Sequence, residues 1–240
     1  MTRLIAIAAT ALAVSACNFG IHDKDRDPGT TVTRSYQVGA FDKIEVAGAY
    51  DLKVTTGGQP GVSAKGGDKL LDETLVVVEN GVLKIGPKHH SGIRFGWGQH
   101  GTAEFTVTTA MLHGVGIAGS GGVTVDKVDG DFKGDVAGSG DLTVATVNGG
   151  VSEFSIAGSG KISAAGKAQS ATMEIAGSGD IDAGALAVTD ADVSIAGSGN
   201  VRANATATAK VEIMGSGDVT ITGGAKCTVD KAGSGNVTCG

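Results

Sequence analysis

Proline is scarce in this chain, with 3 in 240 residues against 41 glycines. That excludes a collagen-like polymer, which needs proline and a strict three-residue glycine period. Aromatic residues make up only 4%, so any core is narrow and built from small aliphatic side chains. The 19 Lys and Arg are outnumbered by 25 Asp and Glu, giving a net charge of −6, and the basic residues form no cluster. A chain that neutralises phosphates needs a basic face, which excludes nucleic acid as a partner. No Ser-His-Asp arrangement, phosphate-binding loop or dinucleotide fingerprint occurs, and beyond the N-terminus nothing predicts a helix. With 41% hydrophobic residues the chain can nonetheless bury a core, which excludes simple disorder.

The one long apolar run is Leu4 to Val14, preceded by Arg3. It has the length of a signal-peptide core and is too short to span a bilayer, which takes about 20 residues. The stretch Leu12-Ala13-Val14-Ser15-Ala16-Cys17 resembles the bacterial lipobox, in which the signal is cut before the Cys and the thiol takes the lipid. The alternative is an ordinary secretory signal with a chance Cys. In lipoproteins an Asp after the Cys retains the protein at the inner membrane. Asn18 stands here, so the resemblance implies lipid anchoring at the outer membrane, facing the periplasm or the surface. The expected organisation is a signal peptide over 1–16, lipidated Cys17 with a flexible tether over 17–30, a capping β region over 31–113 and a repeat region over 114–240. Removing Cys17 leaves Cys227 and Cys239, which form a disulfide in an oxidising compartment or remain two thiols.

Gly-Ser-Gly begins at Gly119, Gly138, Gly158, Gly177, Gly197, Gly215 and Gly233, in steps of 19, 20, 19, 20, 18 and 18 residues. On both sides of it apolar and polar residues alternate. Val211, Ile213, Val219 and Ile221 face one way, Glu212, Asp218, Thr220 and Thr222 the other. Period two means strands, and the glycines make corners. A weaker turn falls mid-repeat, at Asp129-Gly130, Asn148-Gly149-Gly150, Ala165-Gly166, Asn204 and Gly223-Gly224. One such repeat cannot bury its own apolar side, whereas stacked coils can. The predicted fold is all-β, a single-stranded β-solenoid (β-helix) with coils of 18–20 residues and a less regular N-terminal cap. The serines from Ser120 to Ser234 are expected to form a column at one corner. A flat antiparallel sandwich is the alternative, but it does not explain one fixed tripeptide per 18–20 residues.

Within 31–113, Phe41 to Val54 matches the frame of Asp135 to Val144 and reads as a degenerate first coil. Leu75 to Val78 and Val82 to Ile85 flank Glu79-Asn80-Gly81, a hairpin signature. Together with the run of Ala-Gly-Ser-Gly repeats, these segments resemble a bacterial family of auto-transporter adhesins, the head GIN domain. The resemblance covers residues 35–240. It implies a right-handed β-helix on exported, often lipid-anchored proteins, and it carries over no catalytic residue.

Three sets of residues are candidates for chemistry. The position after Gly-Ser-Gly is Gly122, Asp141, Lys161, Asp180, Asn200, Asp218 or Asn236. This echoes calcium-binding β-rolls, but a lysine in the column favours structural turn residues. The acidic groups Asp126, Asp129, Asp131 and Asp135, and Asp180, Asp182, Asp190 and Asp192, are what a polysaccharide-acting enzyme would need. The segment from Lys88 to His100 holds the single Trp of the chain and His89, His90 and His100. Its Arg94, Phe95, Trp97 and His100 are the expected ligand contacts, the alternative being a lid over the open core end. Zinc at the three histidines is a weaker reading. The expected protein is therefore an adhesin-like binding module of the cell envelope, with no enzymatic activity, metal or cofactor. Its expected partners are the membrane, through the anchor, and a glycan or an envelope protein. A β-helix polysaccharide lyase or hydrolase and a purely structural role are the alternatives.

Overall fold

The computed structural model describes residues 28–88 and 103–240. Cys17, the signal segment and Arg94, Phe95, Trp97 and His100 lie outside the described residues. Alternation of apolar and polar side chains folds the repeat region into flat strands stacked in parallel, a β-solenoid of about 7 turns. At the spacing of hydrogen-bonded strands, about 4.8 Å, seven turns make a body roughly 34 Å long.

Each coil has three walls. The first runs into the Gly-Ser-Gly corner and stacks Gly114–Gly119, Phe132–Gly138, Val151–Gly158 and Ser170–Gly177, then 190–197, 208–215 and Lys226–Gly233. The second leaves the corner and stacks Gly122–Val125 on Asp141–Asn148, Lys161–Lys167 and later coils through Val237–Cys239. A short third wall pairs Val128–Asp129 with 147–148, and 147–148 with 166–167. Backbone bonding continues around the corners: Ser139 N donates to Gly119 O (2.9 Å), Ser159 N to Gly138 O (2.8 Å) and Ser198 N to Gly177 O (2.9 Å). The exposed serines form the expected column there, and Ser216 Oγ lies 3.1 Å from Ser234 Oγ. The corner admits no side chain at its first glycine. Gly197 has φ +141°, and a Cβ on it would sit 2.0 Å from the Gly177 carbonyl oxygen of the coil beneath.

Inside, like stacks on like, with local exchanges of size. Ile117, Val136, Ile156, Ile175, Ile195 and Ile213 form one buried column. In the next, Val115, Gly134, Phe154, Met173, Val193 and Val211 are in register. Gly134 leaves room for its large neighbour: a Cβ there would lie 2.6 Å from Leu142 and 3.2 Å from the Phe154 ring. Phe132 packs tilted against Phe154 at 6.3 Å between centroids. Phe132 itself stacks over the smaller Ser152, whose fully buried hydroxyl has no hydrogen-bond partner. An unpaired hydroxyl costs about 1–3 kcal/mol to bury. Ser152→Ala is therefore expected to stabilise the protein by about 1 kcal/mol, read as a higher midpoint in urea at unchanged slope.

At the N-terminal end the stack departs from chain order. The coil formed by Lys43–Gly48 and Tyr50–Thr56 lies inside it. One neighbour is the pair Val82–Pro87 and Ala103–Thr109, the other the coil of 114–125. The chain thus builds its second layer first, adds the outer layer, then crosses back to the other side. Beyond the outer layer, Thr31–Tyr36 pairs antiparallel with Gly61–Gly67, which pairs antiparallel with Ala103–Thr109. Thr74–Glu79 and Val82–Pro87 form the hairpin, with positive φ at both Asn80 and Gly81. The sequence reading, which contains no helix here, is corrected at Asp68–Asp72. This single turn tucks Leu70 and Leu71 into the end of the core, and so short an element carries no helical periodicity to detect. Fully buried Tyr50 packs edge-on against Phe105 at 5.6 Å, with its hydroxyl 3.1 Å from Thr74 Oγ1.

The other end closes differently. Cys227 and Cys239, from the first and second walls of the last coil, are joined by a disulfide. Lys231 takes the position that isoleucine holds in earlier coils, and its Nζ donates to Gly235 O (2.7 Å).

Candidate functional site

The outward-pointing carboxylates hold coils together. Asp131 Oδ1 accepts from Val151 N (2.8 Å), and Asp126 Oδ1 from Thr56 N (3.0 Å) and Lys127 N (2.6 Å). Asp129 accepts from Asn148 Nδ2 (2.9 Å) and pairs with Lys127 (3.0 Å). These two contacts hold its carboxyl below the usual aspartate range. Asp190 accepts from the Thr208 hydroxyl of the next coil. General acid–base work needs one carboxyl raised in pKa opposite another. These four carboxylates instead face backbone or side-chain donors.

The position after Gly-Ser-Gly is a ladder. Asp180 Oδ1 accepts from Asn200 N (3.2 Å) and Nδ2 (2.9 Å). Asn200 Oδ1 then accepts from Asp218 N (3.2 Å), and Asp218 Oδ1 from Asn236 N (2.8 Å) and Nδ2 (3.1 Å). Alternating Asp with Asn places an amide donor between carboxylates and avoids like charges one coil apart. The side chains are turned onto the next coil's amides. Among the described residues no group of three or more His, Cys, Asp or Glu could hold a metal ion.

The first wall is different on its outer side. Ala118, Ala137, Ala157, Ala176, Ala196, Met214 and Ala232 stack in register and are exposed, Met214 at 68%. Ala47 continues this line toward the cap. There the hairpin residues Leu75, Ile85, Gly86 and Pro87 rise beside it and enclose a groove of ≈ 480 Å³. Glu45, Lys84 and Asp135 supply its charged edge. Scattered exposed apolar residues are ordinary, but a continuous apolar strip with a walled end marks a contact surface. Sequence reading missed this groove. Its walls come from the hairpin and its floor from four distant repeats, and only the register brings them together.

The ends of the segment 89–102 are fixed by the described residues. In other coils one or two residues, such as Ala49 or Ser120-Gly121, separate the first wall from the second. In the outer layer residues 88–102 stand between Pro87 and Ala103. Lys88 N donates to Glu73 O (2.8 Å), and its Nζ to Asp72 O (2.7 Å). Leu70 N donates to Pro28 O (3.4 Å), and Asp68 N to Thr30 O (2.9 Å). The root of the segment and the start of the described chain therefore meet at one short helix, at the end opposite the disulfide.

Solved structures share this architecture. An adhesin-like protein from Bacteroides fragilis, described as putative, superposes with a TM-score of 0.77 at 22% identity, over 88% of this chain and 97% of its own. A protein described as a putative lipid binding protein, from Parabacteroides distasonis, gives 0.69 at 24% identity over 88% and 97%. A putative adhesin from Parabacteroides merdae gives 0.66 at 20% identity over 88% and 96%. At these identities the likeness shows the fold. No functionally curated protein matches the chain. The model of the family described as "Putative auto-transporter adhesin, head GIN domain" matches residues 40–225. With its repeats, its solenoid and that match, the chain belongs to this adhesin family.

Proposed function

We propose that this protein is a non-catalytic, adhesin-like binding module of the cell envelope, held at the outer membrane by a lipid on Cys17. The observation that carries the binding reading is the groove of the first wall, an exposed apolar strip walled by the hairpin at Leu75 and Pro87. The inter-coil bonds of Asp126, Asp129, Asp131 and Asp190 argue against the enzyme reading, because these carboxylates have a structural role. The anchor reading sets a polarity. Chain entering at Pro28 beside the helix Asp68–Asp72 puts the cap, and the root of the segment 89–102, at the tethered end. Arg94, Phe95, Trp97 and His100, in the segment that follows Lys88, are the proposed further ligand contacts.

The test is binding of a fragment starting at Asn18 to a broad panel of bacterial and host glycans. Saturable binding is expected to weaken about thirtyfold in Trp97→Ala, the size of an interface hot spot, and to be lost in Ala137→Arg, which fills the groove. Release of soluble products from any glycan overturns the non-catalytic reading. Binding unchanged by both substitutions removes the groove and the loop as the site.

A further inference from the structure

The last coil is held differently from every coil before it. Among the described residues, 226–240 pair with a neighbouring coil on one side only. Among them Gly235 alone is buried, Cys227 and Val237 are half-buried, and Val229 is 46% exposed. Beneath them, Val211, Ile213, Val219 and Ile221 are buried to 1% exposure or less. The coil thus covers a finished core while burying little of its own, and Lys231 stands where isoleucine would contribute apolar area. What fixes its shape is the bond between Cys227 and Cys239, which spans the bore from wall to wall. The chain enters this coil through Gly223 and Gly224, both at positive φ, with open space around Gly224. A glycine pair can take new backbone angles at little cost.

We propose that Cys227–Cys239 is a redox-operated lock on the coil of residues 226–240. Closed, it keeps the last coil seated. Open, it lets residues 226–240 swing away at Gly223-Gly224 and leaves the coil of 200–222 as an exposed edge. The occupant of that edge is the same coil of a second copy, because the interface it would form already exists within the chain: Thr208 to Gly215 against Lys226 to Gly233, and Val219 to Ile221 against Val237 to Cys239. Exchange of an identical element through a hinge is a low-cost route to a dimer. The opening step transfers two electrons and two protons from an external dithiol, which becomes a disulfide, to the Cys227–Cys239 bond, which becomes two thiols.

The experiment compares amide hydrogen exchange and molar mass of the full chain, in detergent buffer, before and after treatment with dithiothreitol. Closing a loop of this size stabilises a segment by an amount equivalent to about a hundredfold in an opening equilibrium. Exchange at 226–240 is therefore expected to speed up about a hundredfold on reduction, with 190–197, which keeps a neighbour on both sides, still protected. Dimers are expected to form with concentration in the reduced chain and to dissociate on dilution while it stays reduced. The Cys227→Ser/Cys239→Ser double variant is expected to behave as the reduced chain without reductant. Equal exchange at 226–240 in both states overturns the lock. Faster exchange with the chain monomeric at every concentration overturns the coil exchange.

Discussion

Gly197→Ala is expected to cost the protein about 4 kcal/mol or more, enough to remove most of the stability of a typical domain. Two effects coincide at this position. With φ at +141° the backbone is in a region that alanine resists. The added methyl would also lie 2.0 Å from the carbonyl oxygen of Gly177. That oxygen belongs to stacked backbone and accepts from Ser198 N, so it cannot turn aside as a flexible side chain can. Gly149→Ala separates the two effects. Its φ is +76° and nothing lies within 4 Å of the added carbon, so strain acts alone and the expected loss is about 1 kcal/mol. Urea unfolding of both variants checks the difference. Similar losses at the two sites would mean that coil stacking yields to a side chain at the corner.

Phe154→Ala is expected to lose about 3–5 kcal/mol, the range for deleting a buried aromatic ring. The upper part of the range applies because collapse is obstructed on both sides. Gly134, one coil below, has no side chain to move into the void, and Met173, one coil above, is fully buried in its own layer. Phe132 loses its ring partner as well. A thermal or urea midpoint gives the value. A loss near 1 kcal/mol would show that neighbouring coils slide together to fill the space.

These two sites also show what the sequence could reveal. The corner was legible because a tripeptide recurring every 18–20 residues has few physical explanations, and the alternation beside it assigned Val211, Ile213, Val219 and Ile221 to the core. The size exchange between Gly134 and Phe154 was not legible. It depends on register between residues 20 apart in the chain, and spacing alone does not say which column each belongs to. The Asx ladder was anticipated as turn residues, although its inter-coil bonding from Asp180 to Asn236 requires the stack itself. The groove at Leu75 and Pro87 went unseen for the same reason, since hairpin and alanines meet only across the permuted layers. The helix Asp68–Asp72 is too short to show a period.

The permuted layers have a consequence for the order of assembly. Strand Tyr50–Thr56 has Ala103–Thr109 on one side and Gly122–Val125 on the other. As the chain emerges from its N-terminus, this first coil stays unfinished until residue 125 is present. Every coil after residue 125 needs only its immediate predecessor. Loop closure over such separations is slow compared with adding an adjacent coil. The N-terminal half is thus the slow, all-or-none step of folding, and the remainder grows from it as a one-dimensional array. Until that step is complete the strand edges of the early segments stay open, and a chain halted before residue 125 has nothing to close them.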